Sequence, residues 1–196
     1  ANKLKIVAII PVKGKCISVN GHPLLKHSIG SLKKSKLIDD VFVSTDSEDT
    51  AKIAIKAGAK CPFLRPKEFS EKFVNLEAVQ KFSLEKIEEL GTFPDLVVHL
   101  EETFPFRPDG IFDSMITNIL RNGHDSIVAA RVEPNFIWQE NNYGGFDRID
   151  SGDVPREFKD NILIGLPGVG CISHPEFIRT GKFLGPNIGL YSIDDN

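Results

Sequence analysis

An unbroken apolar run, Ile6 to Ile10, is the feature that most restricts how this chain folds. Such a run is typical of a strand that is buried on both faces of a sheet. Pro11 ends it, and a short basic loop follows with Lys13, Gly14 and Lys15. In open parallel sheets, ligands bind beyond the carboxyl ends of the strands, where backbone amides favour anions. The sequence therefore indicates either a nucleotide or phosphate site on this loop or an ordinary loop with two solvated lysines.

Strand and helix patterns alternate along most of the chain. Strands are predicted at 6–10, 40–45, 60–64, 95–100 and 126–131, and helices at 23–34, 47–57, 76–90 and 109–121. This alternation predicts an α/β protein with a mostly parallel sheet, helices on both faces and right-handed connections. From residue 134 the pattern becomes irregular, and we predict a lid or dimerisation segment at 134–165. A strand at 169–173, a short helix at 174–180 and a last strand at 188–193 complete one predicted domain, 1–196.

Composition limits the classes of partner. The 196 residues carry 24 Lys and Arg against 27 Asp and Glu, so nothing global favours nucleic acid, and phosphate binding must be local. No apolar stretch is long enough to span a membrane and no signal-peptide layout is present, so we expect a cytoplasmic protein. The cysteines Cys16, Cys61 and Cys171 lie far apart, which suits a reducing compartment and argues against a thiolate zinc site.

Asp46 follows the second predicted strand directly, in the sequence Val43-Ser44-Thr45-Asp46-Ser47. At this position a carboxylate serves either as a cap of the following helix or as a ligand at the sheet edge. Both alternatives stay open on the sequence alone.

Five stretches, in order and spacing, resemble the acylneuraminate cytidylyltransferase family, which makes CMP-activated sialic acid and related sugars. They cover about residues 5–131 and match family patterns of the types I-P-A-R-G, x-G-K-P-L-I, V-S-T-D, G-A-x-V-P-F-L-R-P and T-S-P-L-R. In this chain they read Ile9-Ile10-Pro11-Val12-Lys13-Gly14, Asn20-Gly21-His22-Pro23-Leu24-Leu25, Val43-Ser44-Thr45-Asp46, Gly58-Ala59-Lys60-Cys61-Pro62-Phe63-Leu64-Arg65-Pro66 and Thr103-Phe104-Pro105-Phe106-Arg107.

The resemblance implies a Rossmann-like nucleotide-diphospho-sugar transferase fold and, usually, a homodimer. It also implies transfer of CMP from CTP to the anomeric hydroxyl of a sugar acid, with Mg²⁺ as cofactor and pyrophosphate as leaving group. Positioning and cationic charge supply most of the rate in such phosphoryl chemistry. CTP and a small sugar acid are therefore the expected substrates.

Candidate site residues follow from the matched motifs. Lys13 stands where the family has an arginine, and the resemblance implies a catalytic role for it and for Lys15. Arg65 matches the L-R-P arginine that the family places beside cytosine, or it anchors a loop through an ion pair. Arg107 serves as a structural clamp or contacts substrate. The implied substrate-binding set is Gly14, Arg65, Asp46, Glu101, Thr103 and Arg107.

Several departures from the family pattern concern the basic loop and the residues expected to contact the sugar acid. The S-K-G-x-P part of the family loop is absent after Gly14, and Cys16 stands in place of an Asn that reads the base. This indicates a true deletion that weakens or removes activity, or a sequence that lacks residues before Lys15. Glu101 replaces a neutral Gln and would repel a sugar carboxylate unless a cation intervenes. These features favour, as an alternative, a non-catalytic homologue that acts as a binding or assembly module.

A third class, nucleotidyltransferases that act on sugar phosphates, is expected to carry a longer G-x-G-[ST]-x-[MR] loop, which this sequence lacks. At the C-terminus, Ser192-Ile193-Asp194-Asp195 is similar to the S-I-D-I-D segment whose aspartates hold Mg²⁺ in the family. Adjacent residues of a strand face opposite sides, so Asp194 and Asp195 do not form such a pair. No metal ligands are therefore predicted.

Overall fold

The computed structural model describes residues 3–71, 74–149 and 162–194. Its strands are β1 Ile6–Val12, β2 Ser18–Val19, β3 His22–Pro23, β4 Asp40–Thr45, β5 Leu96–His99, β6 Ser126–Val132, β7 Trp138–Glu140, β8 Phe146–Arg148, β9 Leu163–Gly165, β10 Cys171–Ser173 and β11 Ile188–Ser192. Its α-helices are α1 Leu24–Lys33, α2 Glu48–Lys56, α3 Leu76–Glu89, α4 Ile111–Asn122 and α5 Pro175–Arg179, and a 3₁₀ turn covers Lys67–Ser70.

The central sheet has seven strands, in the order β11-β6-β10-β5-β1-β4, with β9 also paired to β6. β4, β1 and β5 are parallel, whereas β10 runs antiparallel between β5 and β6. The sheet is therefore mixed and mostly parallel, as the alternating pattern predicts. The two remaining pairs, β2–β3 and β7–β8, are small antiparallel hairpins outside this sheet.

Side chains of β1 alternate between two apolar layers, one on each face of the sheet. Ile6, Ala8 and Ile10 belong to the layer that contains buried residues of α1 and α4, such as Leu25 and Met115. Val7 and Ile9 belong to the other layer, with Leu84 and Ile87 of α3 and Ile178 of α5. Burial on both faces accounts for the continuous apolar run in β1, because neither face can carry polar residues without a hydrogen-bond partner.

The predicted strand at 60–64 is wrong as a continuous strand. Only two isolated bridges occur there, from Phe42 to Lys60 and from Thr45 to Leu64. Pro62 lies between them and has no N–H with which to continue the ladder beside β4. The predicted strand at 169–173 is also shorter, because β10 begins at Cys171.

The segment predicted as a lid or dimerisation element is only partly described. Its first half contains the β7–β8 hairpin, while residues 150–161 lie outside the described residues. Leu163–Gly165 at its end pairs with β6 as β9 and so belongs to the central sheet. The lid or dimer role of the hairpin, and the division of the chain as one domain, stay predictions. No helix within the described ranges is both long and apolar enough to cross a membrane.

Candidate active site

The basic loop lies between two other polar chain segments at the carboxyl edge of the sheet. β1 is paired on one side with β4 and on the other with β5. Because these strands are parallel and about 4.8 Å apart, the residues that follow them emerge side by side. Lys13 to Lys15 follow β1, Asp46 follows β4, and Glu101 comes two residues after β5.

A cavity of about 280 Å³ opens at this edge. Lys13, Arg65 and Glu101 line it together, so the structure brings three of the predicted site residues to one place. The other lining residues are mainly apolar and include the start of α3: Pro11, Phe69, Glu71, Val74, Leu76 and Val79. An apolar wall with few converging charged groups is the usual composition of a small-molecule site.

Arg65 lines the cavity and also anchors its own loop to the end of β1. Its residue is only 5% exposed, and its Nη2 donates to the carbonyl oxygen of Val12 at 3.0 Å. Burial lowers the pKa of Arg65, and the negative charge of Asp46 opposes that effect. Among the described residues, no acceptor pairs with its Nε. Arg65 therefore ties the Leu64–Arg65 loop to the end of β1 while keeping a donor for a further partner.

Asp46 holds the basic loop and does not cap α2. Its Oδ1 accepts the N–H of Gly14 at 2.7 Å, whereas the cap of α2 is Ser47, whose side chain accepts the N–H of Thr50. The capping alternative for Asp46 is therefore wrong. Partial burial acts to raise the pKa of Asp46, but contacts with the Ser70 hydroxyl and the Gly14 N–H hold it below its usual value. Asp46 is thus a carboxylate at neutral pH and a strong acceptor for the loop.

Glu101 passes Gly168 so closely that a side chain there would collide with it. Its N–H donates to the Gly168 carbonyl oxygen at 2.9 Å. A Cβ on Gly168 would lie 2.3 Å from Oε2 of Glu101 and 2.5 Å from the ring of Phe104. Glycine at this position therefore leaves the space that the Glu101 carboxylate occupies beside the cavity.

Arg107 acts as a clamp. Its guanidinium donates to the carbonyl oxygens of Val169, Glu101 and Gly168 at 2.7, 2.9 and 3.1 Å, and to the Ser28 hydroxyl at 3.1 Å. Burial lowers its pKa to about 10. Four of its five N–H groups are thus used within the protein. Arg107 holds Glu101 in place from the backbone side and does not line the cavity.

Other predicted site residues also do not line this cavity, among them Gly14 and Asp46. Lys15 and Thr103 are exposed, and neither lines it. Cys16, which stands where the resemblance implies a base-reading Asn, packs half-buried against the core. Burial and the charge of Glu102 raise the pKa of the Cys16 thiol. The roles of Lys15 and Thr103, like those of the other predicted site residues, stay predictions.

The described residues contain no group of three or more His, Cys, Asp or Glu side chains that could hold a metal ion. Asp194 is used differently, since its Oδ2 accepts the N–H of Val132 at 2.5 Å. Asp195 lies outside the described residues. No ligand set for Mg²⁺ can therefore be assigned among the described residues, and the cofactor stays a prediction.

Sequence reasoning missed two buried polar side chains beside the site. Thr50 contacts the basic loop from α2 with its hydroxyl. His99, the last residue of β5, pairs its Nδ1 with Nε2 of Gln80 at 2.6 Å and lies edge-on to Phe183. Both lie in segments that read as ordinary strand and helix, so neither spacing nor composition singles them out.

Acidification is expected to destabilise the fold through His99. Burial, together with the positive charge of Arg107, lowers its pKa from 6.5 to about 3. The unfolded chain therefore binds a proton near pH 6.5 that the folded chain excludes, so stability is lost as the pH falls below that value. The loss is roughly 1.4 kcal/mol per pH unit. Urea unfolding at pH 7, 6 and 5 measures it.

The variant His99→Gln is expected to remove most of this pH dependence, because glutamine does not titrate. Exposed His22 offers a matched control, and His22→Gln should keep the wild-type slope. An unchanged slope in His99→Gln would show that another group causes the acid sensitivity.

The fold and the cavity together define a class of protein. A mostly parallel sheet with a basic glycine loop and a buried arginine at its carboxyl edge is typical of nucleotide-binding α/β proteins. A family model described as "Cytidylyltransferase" matches residues 12–140, about two thirds of the chain. The chain therefore belongs to the cytidylyltransferase family, as its motifs predict.

Two curated relatives share no more than 30% sequence identity with this chain. The pseudaminic acid cytidylyltransferase of Campylobacter jejuni is 28% identical over 152 residues, which cover 71% of this chain and 66% of that protein. The CMP-N,N'-diacetyllegionaminic acid synthase of Legionella pneumophila is 30% identical over 112 residues, which cover 53% of this chain and 48% of that protein. The chain thus spans just under two thirds of the first relative and about half of the second.

A solved structure of CMP:2-keto-3-deoxy-manno-octonic acid synthetase complexed with CTP superposes with a TM-score of 0.67 at 13% identity. The superposition covers 96% of this chain and 90% of that one. This likeness confirms the predicted Rossmann-like nucleotidyltransferase fold.

Proposed function

We propose that this protein is a CTP-dependent sugar-acid cytidylyltransferase. It transfers CMP from CTP to the anomeric hydroxyl of a sialic-acid-like sugar and releases pyrophosphate. The observation that supports this most is that Lys13, Arg65 and Glu101 together line one cavity at the carboxyl edge of the sheet. The family match and the sugar acids named in the two relatives support the same reaction and substrate class.

The chemistry is an in-line displacement at the α-phosphorus of CTP. The hydroxyl oxygen of the sugar forms a new bond to that phosphorus, the bond to the β-phosphate oxygen breaks, and the hydroxyl proton passes to solvent. In this proposal Lys13 and Lys15 stabilise the charge that develops on the phosphates, and Gly14 lets the backbone approach them. Arg65 binds the cytosine through its Nε, because its Nη2 is already used in the hydrogen bond to Val12. Glu101 and Thr103 face the sugar.

Three further parts belong to the proposal. Mg²⁺ is included as the cofactor that the reaction class uses, with no ligands assigned.

A homodimer is proposed through the β7–β8 hairpin, where Trp138, Tyr143 and Phe146 are 59%, 97% and 66% exposed. Sedimentation equilibrium of the wild type and of Trp138→Ser tests that contact. A cytoplasmic location is also part of the proposal.

Pyrophosphate release tests the reaction directly. The protein is incubated with Mg²⁺, each of the four NTPs and a panel of sialic, pseudaminic, legionaminic and 2-keto-3-deoxy-octonic acids. CTP-specific turnover with one acid is the expected result. If folded protein binds CTP by calorimetry but releases no pyrophosphate with any combination of NTP and sugar acid, the result would instead support a non-catalytic binding module.

Glu101→Gln is expected to improve binding of a free sugar acid. Removal of the carboxylate charge relieves its repulsion with the carboxylate of the substrate, and a gain of about 1.4 kcal/mol corresponds to roughly tenfold in affinity. KM for the sugar acid should fall by about that factor, while KM for CTP stays unchanged. The control Glu85→Gln makes the same change in net charge on the exposed face of α3. A higher KM for the acid would show that Glu101 attracts the substrate.

A further inference from the structure

The hydroxyl of one buried side chain, Thr50, makes two hydrogen bonds to the backbone of the loop Lys13–Cys16. Its Oγ1 donates to the carbonyl oxygen of Gly14 at 2.7 Å and accepts the N–H of Cys16 at 3.2 Å. Asp46 accepts the N–H of Gly14 from the other side. Both backbone polar groups of Gly14 are therefore bound by side chains, that of Asp46 just before α2 and that of Thr50 in its first turn.

The hydroxyl of Thr50 makes both contacts through one oxygen atom. It carries one proton to donate and lone pairs to accept, so it bridges a carbonyl oxygen and an N–H in the same loop. The residue is 0% exposed, and its own N–H is bound by the Ser47 cap at 3.3 Å. The cap fixes the first turn of α2, and that turn fixes the hydroxyl under the loop.

The loop needs such support because its conformation is costly to order. Gly14 has a φ of +65°, in the left-handed region, and a glycine loses more conformational freedom on ordering than any other residue. Lys13 and Lys15 flank Gly14 directly, so the path of the backbone at Gly14 sets where both cations emerge. A displacement of about 1 Å at reacting groups can cost on the order of 100-fold in rate.

We propose that Thr50 is a positioning residue, which holds the loop Lys13–Cys16 in the conformation that places its lysines for phosphate binding. This inference rests on the proposed function for its effect on catalysis. Its effect on the loop is independent of that function. Thr50 does not line the cavity, so it acts through the loop backbone and not through substrate.

The test compares Thr50→Val, which keeps the shape of the side chain, with Thr50→Ser, which keeps the hydroxyl. Amide hydrogen exchange is followed with calorimetric CTP binding and pyrophosphate release. In Thr50→Val the Cys16 amide should exchange at least about tenfold faster, while the amides of β1 and β4 keep their rates. The value of kcat/KM for CTP should fall about 10- to 100-fold. Thr50→Ser should recover both within about threefold.

Ser126→Ala is the matched control, because it also deletes a buried hydroxyl, one that pairs with Ser173 on the other side of the sheet. It should change neither Cys16 exchange nor kcat/KM. Unchanged Cys16 exchange in Thr50→Val would overturn the inference, and so would faster exchange with unchanged CTP binding and turnover. Failure of the wild type to bind or turn over CTP would overturn the proposed function instead, and the exchange rates would still decide whether Thr50 holds the loop.

Discussion

Lys13→Met is expected to lower kcat/KM for CTP-dependent pyrophosphate release by about 10²- to 10³-fold, the range found when one preorganised charge-stabilising group is removed. Among the described residues, Lys13 and Arg65 are the cations that line the cavity. Arg65 already donates to Val12 and is buried, whereas Lys13 is exposed at the exit of β1 and free to follow a phosphate. Methionine keeps the length of the side chain and removes the charge.

The partner variant Lys13→Arg separates charge from shape. Because it restores the cation and adds the bidentate geometry that suits phosphate oxygens, it should retain activity within about tenfold of the wild type. Lys56→Met, in the last turn of α2, controls for the loss of one positive charge elsewhere. Wild-type kcat/KM in Lys13→Met, measured at saturating sugar acid, would remove Lys13 from the catalytic machinery.

Hydrophobic patterning predicts the helices α1 to α5 and most strands of the central sheet, but it misses β9, which lies in the segment predicted as irregular. The apolar run Ile6 to Ile10 is buried throughout, because burial of apolar surface is the dominant local constraint on such a segment. The strand at 60–64 shows the limit of this reasoning. Its composition is apolar enough for a strand, but Pro62 removes a donor that a continuous ladder beside β4 would use.

The site was predictable to the extent that it lies at strand ends. Lys13 and Glu101 follow strands of the parallel set, and the N–H of Arg65 donates to the carbonyl oxygen of Thr45 at the end of β4, so all three lie at one edge of the sheet. The contacts that hold them were not predictable, since Thr50 reaches Gly14 across 36 positions of sequence. Such hydrogen bonds depend on how α2 packs beside β1, and no local pattern carries that information.

The antiparallel strand β10 likewise could be predicted as a strand, but its position in the sheet could not. Its three residues, Cys171 to Ser173, are all buried, and the sequence reads correctly as a strand. Its insertion between β5 and β6 brings Gly168 to Glu101 and Val169 to Arg107. The surroundings of Glu101 are thus built by a segment more than 60 residues away from it in sequence.

Arg107→Leu is expected to lower the free energy of unfolding by about 3 kcal/mol or more, because it leaves several buried acceptors without a donor. The affected acceptors are the carbonyl oxygens of Glu101, Gly168 and Val169. Urea unfolding at pH 7 measures the change. Arg121→Leu in the last turn of α4 is the control, because that arginine is exposed and should cost little.

Arg107→Lys distinguishes a clamp from a substrate ligand. Lysine keeps the charge, but its single ammonium cannot reach acceptors spread over a guanidinium fork, so stability should be recovered only in part. A clamp predicts that KM for CTP stays near the wild-type value in the folded fraction of Arg107→Lys. A raised KM for CTP without loss of stability would place Arg107 against the nucleotide, and the hydrogen bonds to Val169 and Ser28 would then be secondary to that contact.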